Sequence, residues 1–149
     1  MPFSMMEQIS VIIKNDVGDI ETLSQTVGAF GRSHRLSEDF LSAVNLALDE
    51  ILTNVISYGY ADDTRHHIAV RVSVLEDALV AEVTDDARPF NPLEAPPADT
   101  TSPLPARQVR GLGIHLARAV MDAMEYRREQ GKNILVMKKR IAARARSQA

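Results

Sequence analysis

The sequence contains no cysteine and no tryptophan, and its charged residues nearly balance to a formal net charge of -3. The lack of cysteine excludes disulfide bonds and thiolate metal sites, and it favours a reducing, cytoplasmic location. The small net charge predicts no general attraction to nucleic acid or to anionic membranes. We expect no segment to cross a bilayer, and residues 1–10 lack the pattern of a secretion signal. These absences exclude extracellular scaffolds, membrane spans and strongly basic nucleic-acid binders.

The length and composition predict one compact domain. The chain has 149 residues, of which 45% are hydrophobic, enough for a substantial core. We expect this domain to occupy residues 1–141. Residues 142–149 are rich in alanine and arginine without periodicity, and we expect them to form a frayed tail.

Hydrophobic periodicity predicts alternating helices and strands. Two helices followed by an antiparallel hairpin indicate an α+β sandwich with one sheet face covered. We expect helices near residues 19–31, 37–58 and 112–124, and strands near 8–14, 67–76, 78–84, 125–129 and 133–139. The intervening segment from Pro89 to Pro105 is rich in proline, alanine, aspartate, threonine and serine. A loop of that length inside a compact domain is usually functional or disordered.

The first of three polar clusters lies on the second predicted helix, where Glu50 and Asn54 are four residues apart. This spacing makes them neighbours at the edge of the apolar face. A carboxylate can accept a proton or orient a water, and an amide oxygen can bind a hard cation such as Mg²⁺. Considered alone, the pair is more often a solvated helix edge.

The second and third clusters lie where a strand ends and where a helix begins. Asp85 and Asp86 end a predicted strand, and Arg110, Gly111 and Gly113 open the third predicted helix. Two glycines at a helix start let the backbone approach a ligand, and the free N–H groups favour a phosphate. Each pattern also has a structural explanation, as a turn or as a helix entry.

In this order and spacing, the clusters resemble the N, G1 and G2 boxes of the ATPase fold shared by gyrase, Hsp90, histidine kinases and MutL. The resemblance is strongest to the small anti-sigma serine kinases of bacterial partner-switching systems, and it covers about Val11 to Arg140. The matching residues are Glu50 and Asn54 in the N box, Asp85 and Phe90 in the G1 box, and Gly111 and Gly113 in the G2 box. The resemblance implies a two-layer α/β sandwich of the Bergerat type, with a mixed sheet covered on one face by helices.

The resemblance also implies a role for each box. Asp85 would accept a hydrogen bond from the adenine amino group of ATP, and Asn54 would hold Mg²⁺ against the phosphates. Glu50 would act as the general base or orient the attacking group. The phosphates would bind the backbone at Gly111, Leu112 and Gly113.

The same resemblance predicts an ATP lid over residues 92–110. Arg107 matches a basic lid position, where it would lie near the phosphates or remain solvated. Two residues depart from the family pattern, because Ala87 and Arg110 stand where glycines are usual. Either departure would weaken ATP binding if the added side chain crowds the site. His115 is better explained as an exposed polar residue than as a phosphate acceptor.

Two main functions follow from the resemblance. The first is a serine/threonine protein kinase and anti-sigma switch, which phosphorylates a serine of a STAS-domain antagonist and in another state binds a sigma factor or similar target. The alternative is a non-catalytic ATP-binding antagonist that sequesters its partner, which Ala87 and Arg110 favour. By family likeness, either would form a homodimer. A histidine kinase fragment, a gyrase-like ATPase and a nucleotide-free structural dimer fit the sequence less well.

Overall fold

The structure, a computed structural model, describes residues 7–94 and 109–142, with the backbone alone described over 109–112. Arg107, most of the expected lid and the expected tail from residue 143 lie outside the described residues. The strands are β1 (Glu7–Lys14), β2 (His67–Val74), β3 (Ala78–Asp85), β4 (Ala123–Glu129) and β5 (Lys132–Arg140). The helices are α1 (Val17–Ser33), α2 (Glu38–Tyr58) and α3 (Val109–Val120), with a short 3₁₀ turn at Pro92–Glu94.

The five strands form one sheet in the order β1-β2-β3-β5-β4. Every pairing between neighbouring strands is antiparallel. The α+β fold is therefore confirmed, but the expected mixed sheet is corrected to an antiparallel one. The hairpins β2–β3 and β4–β5 must pair antiparallel, and the pairings between strands far apart in the sequence, β1 with β2 and β3 with β5, are antiparallel as well.

The core lies between the helices and one face of the sheet. Strand β2 alternates as its sequence predicts: Ile68, Val70 and Val72 are at most 1% exposed. The other face of the sheet carries polar residues such as Arg71 and Glu82, whose side chains form an ion pair at 2.9 Å. Alternation of this kind is typical of an antiparallel sheet covered on one side.

Helix α2 begins and ends where the sequence predicts. The Ser37 hydroxyl accepts a hydrogen bond from the Phe40 N–H at 3.2 Å, and Gly59 follows the last turn. By length and composition alone α2 could cross a membrane, contrary to our expectation. Its apolar residues are, however, used in the core, because Phe40, Leu41, Val44, Ala47, Leu48, Ile51 and Leu52 are all buried. A core helix of this kind needs no lipid to bury its apolar face.

The third helix differs most from its predicted bounds. It begins at Val109, three residues early, and ends at Val120, so that Met124 lies in β4 rather than in the helix. Met124 instead pairs with Met137 across the β4–β5 hairpin. The spacing of Met121 and Met124 fits a helical period, but the helix ends before both residues, and the hairpin pairing places Met124 in β4.

Candidate nucleotide-binding site

Glu50 of the N box and Gly113 of the G2 box meet between α2 and α3. A Cβ atom placed on Gly113 would lie 2.3 Å from Oε2 of Glu50, which is closer than any normal contact. Glycine at 113 therefore provides the space that the Glu50 carboxylate occupies. Burial raises the pKa of Glu50, and the neighbouring carboxylate of Asp49 raises it further. A carboxylate whose pKa is raised by its surroundings is suited to accept a proton.

Asn54, one turn along α2 from Glu50, has an unsatisfied buried oxygen. Its side chain is 8% exposed, and its Oδ1 has no hydrogen-bond partner among the described residues. A buried amide oxygen left unpaired is costly, so such a group is usually completed by water, an ion or a ligand. The atom is an oxygen donor, the kind of ligand that a hard cation such as Mg²⁺ accepts.

The described residues contain no group of three or more histidine, aspartate or glutamate side chains arranged to hold a metal ion. A site with one protein oxygen suits Mg²⁺, which usually retains waters and is shared between the protein and substrate phosphates. The residues present therefore fit Mg²⁺ bound together with a nucleotide. When bound there, the ion would neutralise phosphate charge.

Asp85 lies at the end of β3, and it is 5% exposed. Its Oδ1 accepts hydrogen bonds from the Ala87 N–H at 3.0 Å and from the Asn133 side-chain amide at 2.9 Å. Burial raises the pKa of Asp85, while the hydrogen bonds from Asn133 and Ala87 oppose that shift. Both donors bind the same oxygen, so they orient the carboxylate and leave Oδ2 as an acceptor for a ligand.

Asn133, which the sequence did not single out, is the residue that organises this carboxylate. Its amide nitrogen also donates to the carbonyl oxygen of Arg88 at 2.9 Å. Its Oδ1 accepts from the Tyr126 hydroxyl at 2.5 Å and from Arg128 Nη1 at 3.0 Å. Because donors and acceptors surround the amide on opposite sides, only one orientation satisfies them. Only the cross-strand pairing of Asp85 with Asn133 could have indicated this role, and that pairing requires knowledge of the β3–β5 register.

A pocket lies between α2, the end of β3 and the β4–β5 hairpin. Its lining includes Asn54, Asp85, Phe90, Tyr126 and Asn133. Apolar and aromatic walls with a few convergent polar groups are typical of small-molecule sites. The structure thus brings Asn54 and Asp85 to one cavity. It also places Glu50, which is one turn from Asn54 on α2, against Gly113 of α3.

Ala87 also lines this pocket, and its methyl group is buried against the end of α2. The described residues other than glycine with positive φ are Arg35 and Gln130, so Ala87 does not occupy a left-handed conformation. The departure from glycine therefore causes no backbone strain at this position. Its side chain is accommodated by Gly59, where a Cβ atom would lie 2.8 Å from that of Ala87.

The remaining G2 residues are placed only through their backbone. Arg110, Gly111 and Leu112 lie in the first turn of α3, where amide groups lack helical partners. Nothing further is described of their side chains, and Arg107 lies outside the described part of the chain. His115 is half-buried on the same helix.

Known proteins resemble this chain along most of its length. Residues 13–139 match the histidine kinase-like ATPase domain family. The serine-protein kinase RsbW of Bacillus cereus (strain AH187) is 24% identical over 136 residues, covering 89% of this chain and 84% of that protein. The RsbW of Bacillus mycoides (strain KBAB4) is 23% identical over the same length and coverage.

A solved structure shows the same fold. The crystal structure of the RsbU and RsbW domains of a Mycobacterium tuberculosis protein superposes with a TM-score of 0.66 at 13% sequence identity. The match covers 90% of this chain and 32% of that one, so this chain spans about a third of the length of that structure. The resemblance inferred from the three boxes is confirmed, and this chain belongs to the histidine kinase-like ATPase domain family.

Proposed function

We propose that this protein is an ATP- and Mg²⁺-dependent serine/threonine protein kinase that acts as an anti-sigma switch. Its substrate is a serine of a STAS-domain antagonist, and its second partner is a sigma factor or a similar regulatory target. The proposal extends the names of its relatives, which are serine-protein kinases, to a chain that is 24% identical to them. We further propose that it is a cytoplasmic homodimer with an ATP lid over residues 92–110.

One observation supports the proposal above the others. On α2, a carboxylate with a raised pKa and a buried amide oxygen without a partner lie one turn apart. A simple solvated helix edge would have neither property, because its polar groups would be hydrated and their pKa values ordinary. Phosphoryl transfer requires positioning and charge neutralisation, which one base, one metal ligand and a helix N-terminus can supply.

Each residue then has one task in the reaction. Asp85 accepts a hydrogen bond from the adenine amino group through its free Oδ2, and Phe90 packs at the pocket wall. Asn54 would hold Mg²⁺ at the phosphates, and the free backbone N–H groups at the start of α3, including that of Gly111, would bind the phosphate oxygens. Glu50 removes the proton from the serine hydroxyl as that oxygen attacks the γ-phosphorus, and ADP leaves.

The test is a phosphate-transfer assay with labelled ATP, Mg²⁺ and the STAS-domain protein. Glu50→Ala should leave ATP affinity nearly unchanged, while transfer falls by about two to four orders of magnitude. Asn54→Ala should weaken both Mg²⁺-dependent ATP binding and transfer, because the metal contacts the phosphates. Glu21→Gln, on the exposed side of α1, is the matched control and should behave as the unmodified protein.

The second candidate function is a nucleotide-binding antagonist that sequesters a partner without transferring phosphate. Arg110 favours it, because it replaces a glycine of the family pattern next to the proposed ATP site, whereas the methyl group of Ala87 is accommodated by Gly59. Transfer that is undetectable with every STAS-domain protein tried, together with intact binding of ATP and of the target, would select this function over the kinase.

A further inference from the structure

The turn that follows Asp85 is bonded to the end of α2. Arg88 donates from Nε to the carbonyl oxygen of Tyr58 at 3.0 Å, and from Nη2 to the same oxygen at 2.5 Å. The Arg88 backbone N–H donates to the carbonyl oxygen of Gly59 at 3.0 Å. The last turn of α2 contains no basic residue of its own. Arg88 therefore supplies, from another element, the cation that a helix C-terminus favours.

Close packing accompanies these hydrogen bonds. Gly59 has φ of -83°, which any residue can adopt, so a glycine is not required there for conformation. A Cβ atom at this position would instead lie 2.8 Å from the Ala87 Cβ and 2.5 Å from the Val55 carbonyl oxygen. The turn and the helix end are thus in direct contact, with no space for a side chain between them.

The opposite side of the turn is bonded to the β4–β5 hairpin. Arg128 donates from Nη1 to the Ala87 carbonyl oxygen at 2.9 Å, and Asn133 donates to that of Arg88 at 2.9 Å. The turn is consequently held between the hairpin, which orients Asp85, and the helix that carries Glu50 and Asn54. Arg88 is the side chain that makes the contact on the helix side.

We propose that Arg88 is a positioning residue that sets the distance between the base-binding carboxylate of Asp85 and the metal-binding Asn54 of α2. The inference rests on ATP binding as given under the proposed function. Asp85 and Asn54 contact opposite ends of one nucleotide, so both contacts form together only when the two elements keep the correct separation. A misplacement of about 1 Å between such groups can cost on the order of a hundredfold.

The proposal predicts different effects on ligands of different length. Adenosine reaches the Asp85 side alone, whereas ATP with Mg²⁺ reaches both sides. Arg88→Ala should therefore weaken ATP·Mg²⁺ by about ten- to a hundredfold. Because Arg88 also lines the pocket, adenosine should weaken as well, but by a clearly smaller factor. Simple damage to the base pocket would weaken both ligands by the same factor.

The experiment is calorimetric titration of the full chain with adenosine and with ATP·Mg²⁺, alongside melting curves. Arg71→Ala, which removes an arginine from the other face of the sheet, is the matched control and should change neither affinity. Arg88→Lys retains the charge but loses the planar pair of donors, so its loss of ATP affinity should be intermediate. If Arg88→Ala does not fold, Arg88→Lys tests the proposal by the same comparison, the loss of ATP·Mg²⁺ affinity against the loss of adenosine affinity.

Equal weakening of the two ligands, or no weakening of either, would overturn the role of Arg88. That result leaves the kinase proposal intact if the unmodified protein still binds ATP·Mg²⁺ and transfers phosphate. Failure of the unmodified protein to bind ATP·Mg²⁺ would instead overturn both proposals, so the two failures can be distinguished.

Discussion

Glu50 occupies a position that costs the folded state stability. Burial raises its pKa in the folded state above the unfolded value, so its stabilising contribution is present below the unfolded pKa and is lost as pH rises through the folded pKa. Glu50→Gln removes this ionisation, and we expect it to raise the melting temperature near pH 7. The difference in melting temperature between the variant and the wild type should close near pH 4, where the wild-type carboxyl is largely protonated. Melting curves across this range provide the measurement, and Glu21→Gln, on the exposed side of α1, is the control. A constant gap at all pH values would contradict the expectation.

Gly113 is the residue on which the position of Glu50 depends. Gly113→Ala places a methyl group where the Glu50 carboxylate now lies, so either the side chain or α3 must move. We expect phosphate transfer to fall at least tenfold, because a displaced base no longer reaches its proton. The combination Gly113→Ala with Glu50→Ala should lose no more transfer than Glu50→Ala alone. Additive losses in that double variant would show that Gly113 acts independently of Glu50.

Asn133 keeps the Asp85 carboxylate oriented and ionised. Asn133→Ala leaves Asp85 with one donor in place of two, and we expect ATP affinity to weaken by about 1–3 kcal/mol, as for a lost bond to a buried charged group. The pKa of Asp85 should rise further, so that ATP binding on acidification should fail at a higher pH than in the wild type. Titrations of ATP binding against pH would measure both effects. Tyr126→Phe, which retains the amide, should produce the smaller change.

Among the elements, the β4–β5 hairpin has a turn in which Gln130 adopts a backbone conformation that glutamine does not favour. Gln130 has φ of 52° and Gly131 has φ of 77°, the conformation of a turn that prefers asparagine before glycine. Gln130→Asn should raise the free energy of unfolding by about 0.5–1 kcal/mol, because asparagine adopts positive φ at lower cost. Urea denaturation would measure this change. Gln130→Val is the opposing variant, and it should lower stability.

The loop between α2 and β2 is tied to the end of β3 by a histidine. His66 Nε2 lies 2.9 Å from Asp62 Oδ1, and His66 Nδ1 lies 3.2 Å from Asp86 Oδ2. The hydrogen bond to Asp62 raises the pKa of His66, and contacts with Thr64 and His66 lower the pKa of Asp62 to about 2. The stabilisation from His66 is therefore complete below about pH 6.5 and is lost as pH rises through the folded pKa.

The variant His66→Gln should consequently have a lower melting temperature than the wild type near pH 6. This difference in melting temperature should narrow above about pH 8. Melting curves at both pH values would show it. His67→Gln is the matched control, since that exposed neighbour makes neither contact, and its substitution should change the melting temperature little. A gap for His66→Gln that widens with pH would contradict this interpretation of the loop.

At the scale of the whole molecule, ligand binding should raise the free energy of unfolding and the melting temperature. The core is continuous from the sheet to α1 and α2, so we expect one cooperative unfolding transition. ATP·Mg²⁺ at a hundred times its dissociation constant should add about 2.7 kcal/mol. For a domain of this size, that raises the melting temperature by about 5–10 °C.

Guanine presents a carbonyl oxygen where adenine presents an amino group, so GTP·Mg²⁺ should give a much smaller shift. Asp85→Asn should lose most of the ATP shift, because the amide is a poorer acceptor than the carboxylate. An equal rise in melting temperature with both nucleotides would show that Asp85 does not distinguish adenine from guanine.

The sequence by itself determined the helices, the hairpins and the identity of the three boxes. Periods of two and of about 3.6 residues are local properties, and the caps Ser37 and Gly59 act within one turn of their own helix. For the same reason the order of elements, and hence the α+β class, followed from the pattern alone. The parallel component that we expected in the sheet was wrong, because the order and direction of strands are set by distant pairings.

Only the tertiary structure decided which residues meet. The contact of Glu50 with Gly113 joins positions on two helices, and the role of Asn133 depends on its register opposite Asp85. The same holds for Ala87, because the space for its methyl group is provided by Gly59, a residue distant in the sequence. Such contacts depend on packing between elements far apart in the chain, and no local propensity encodes them.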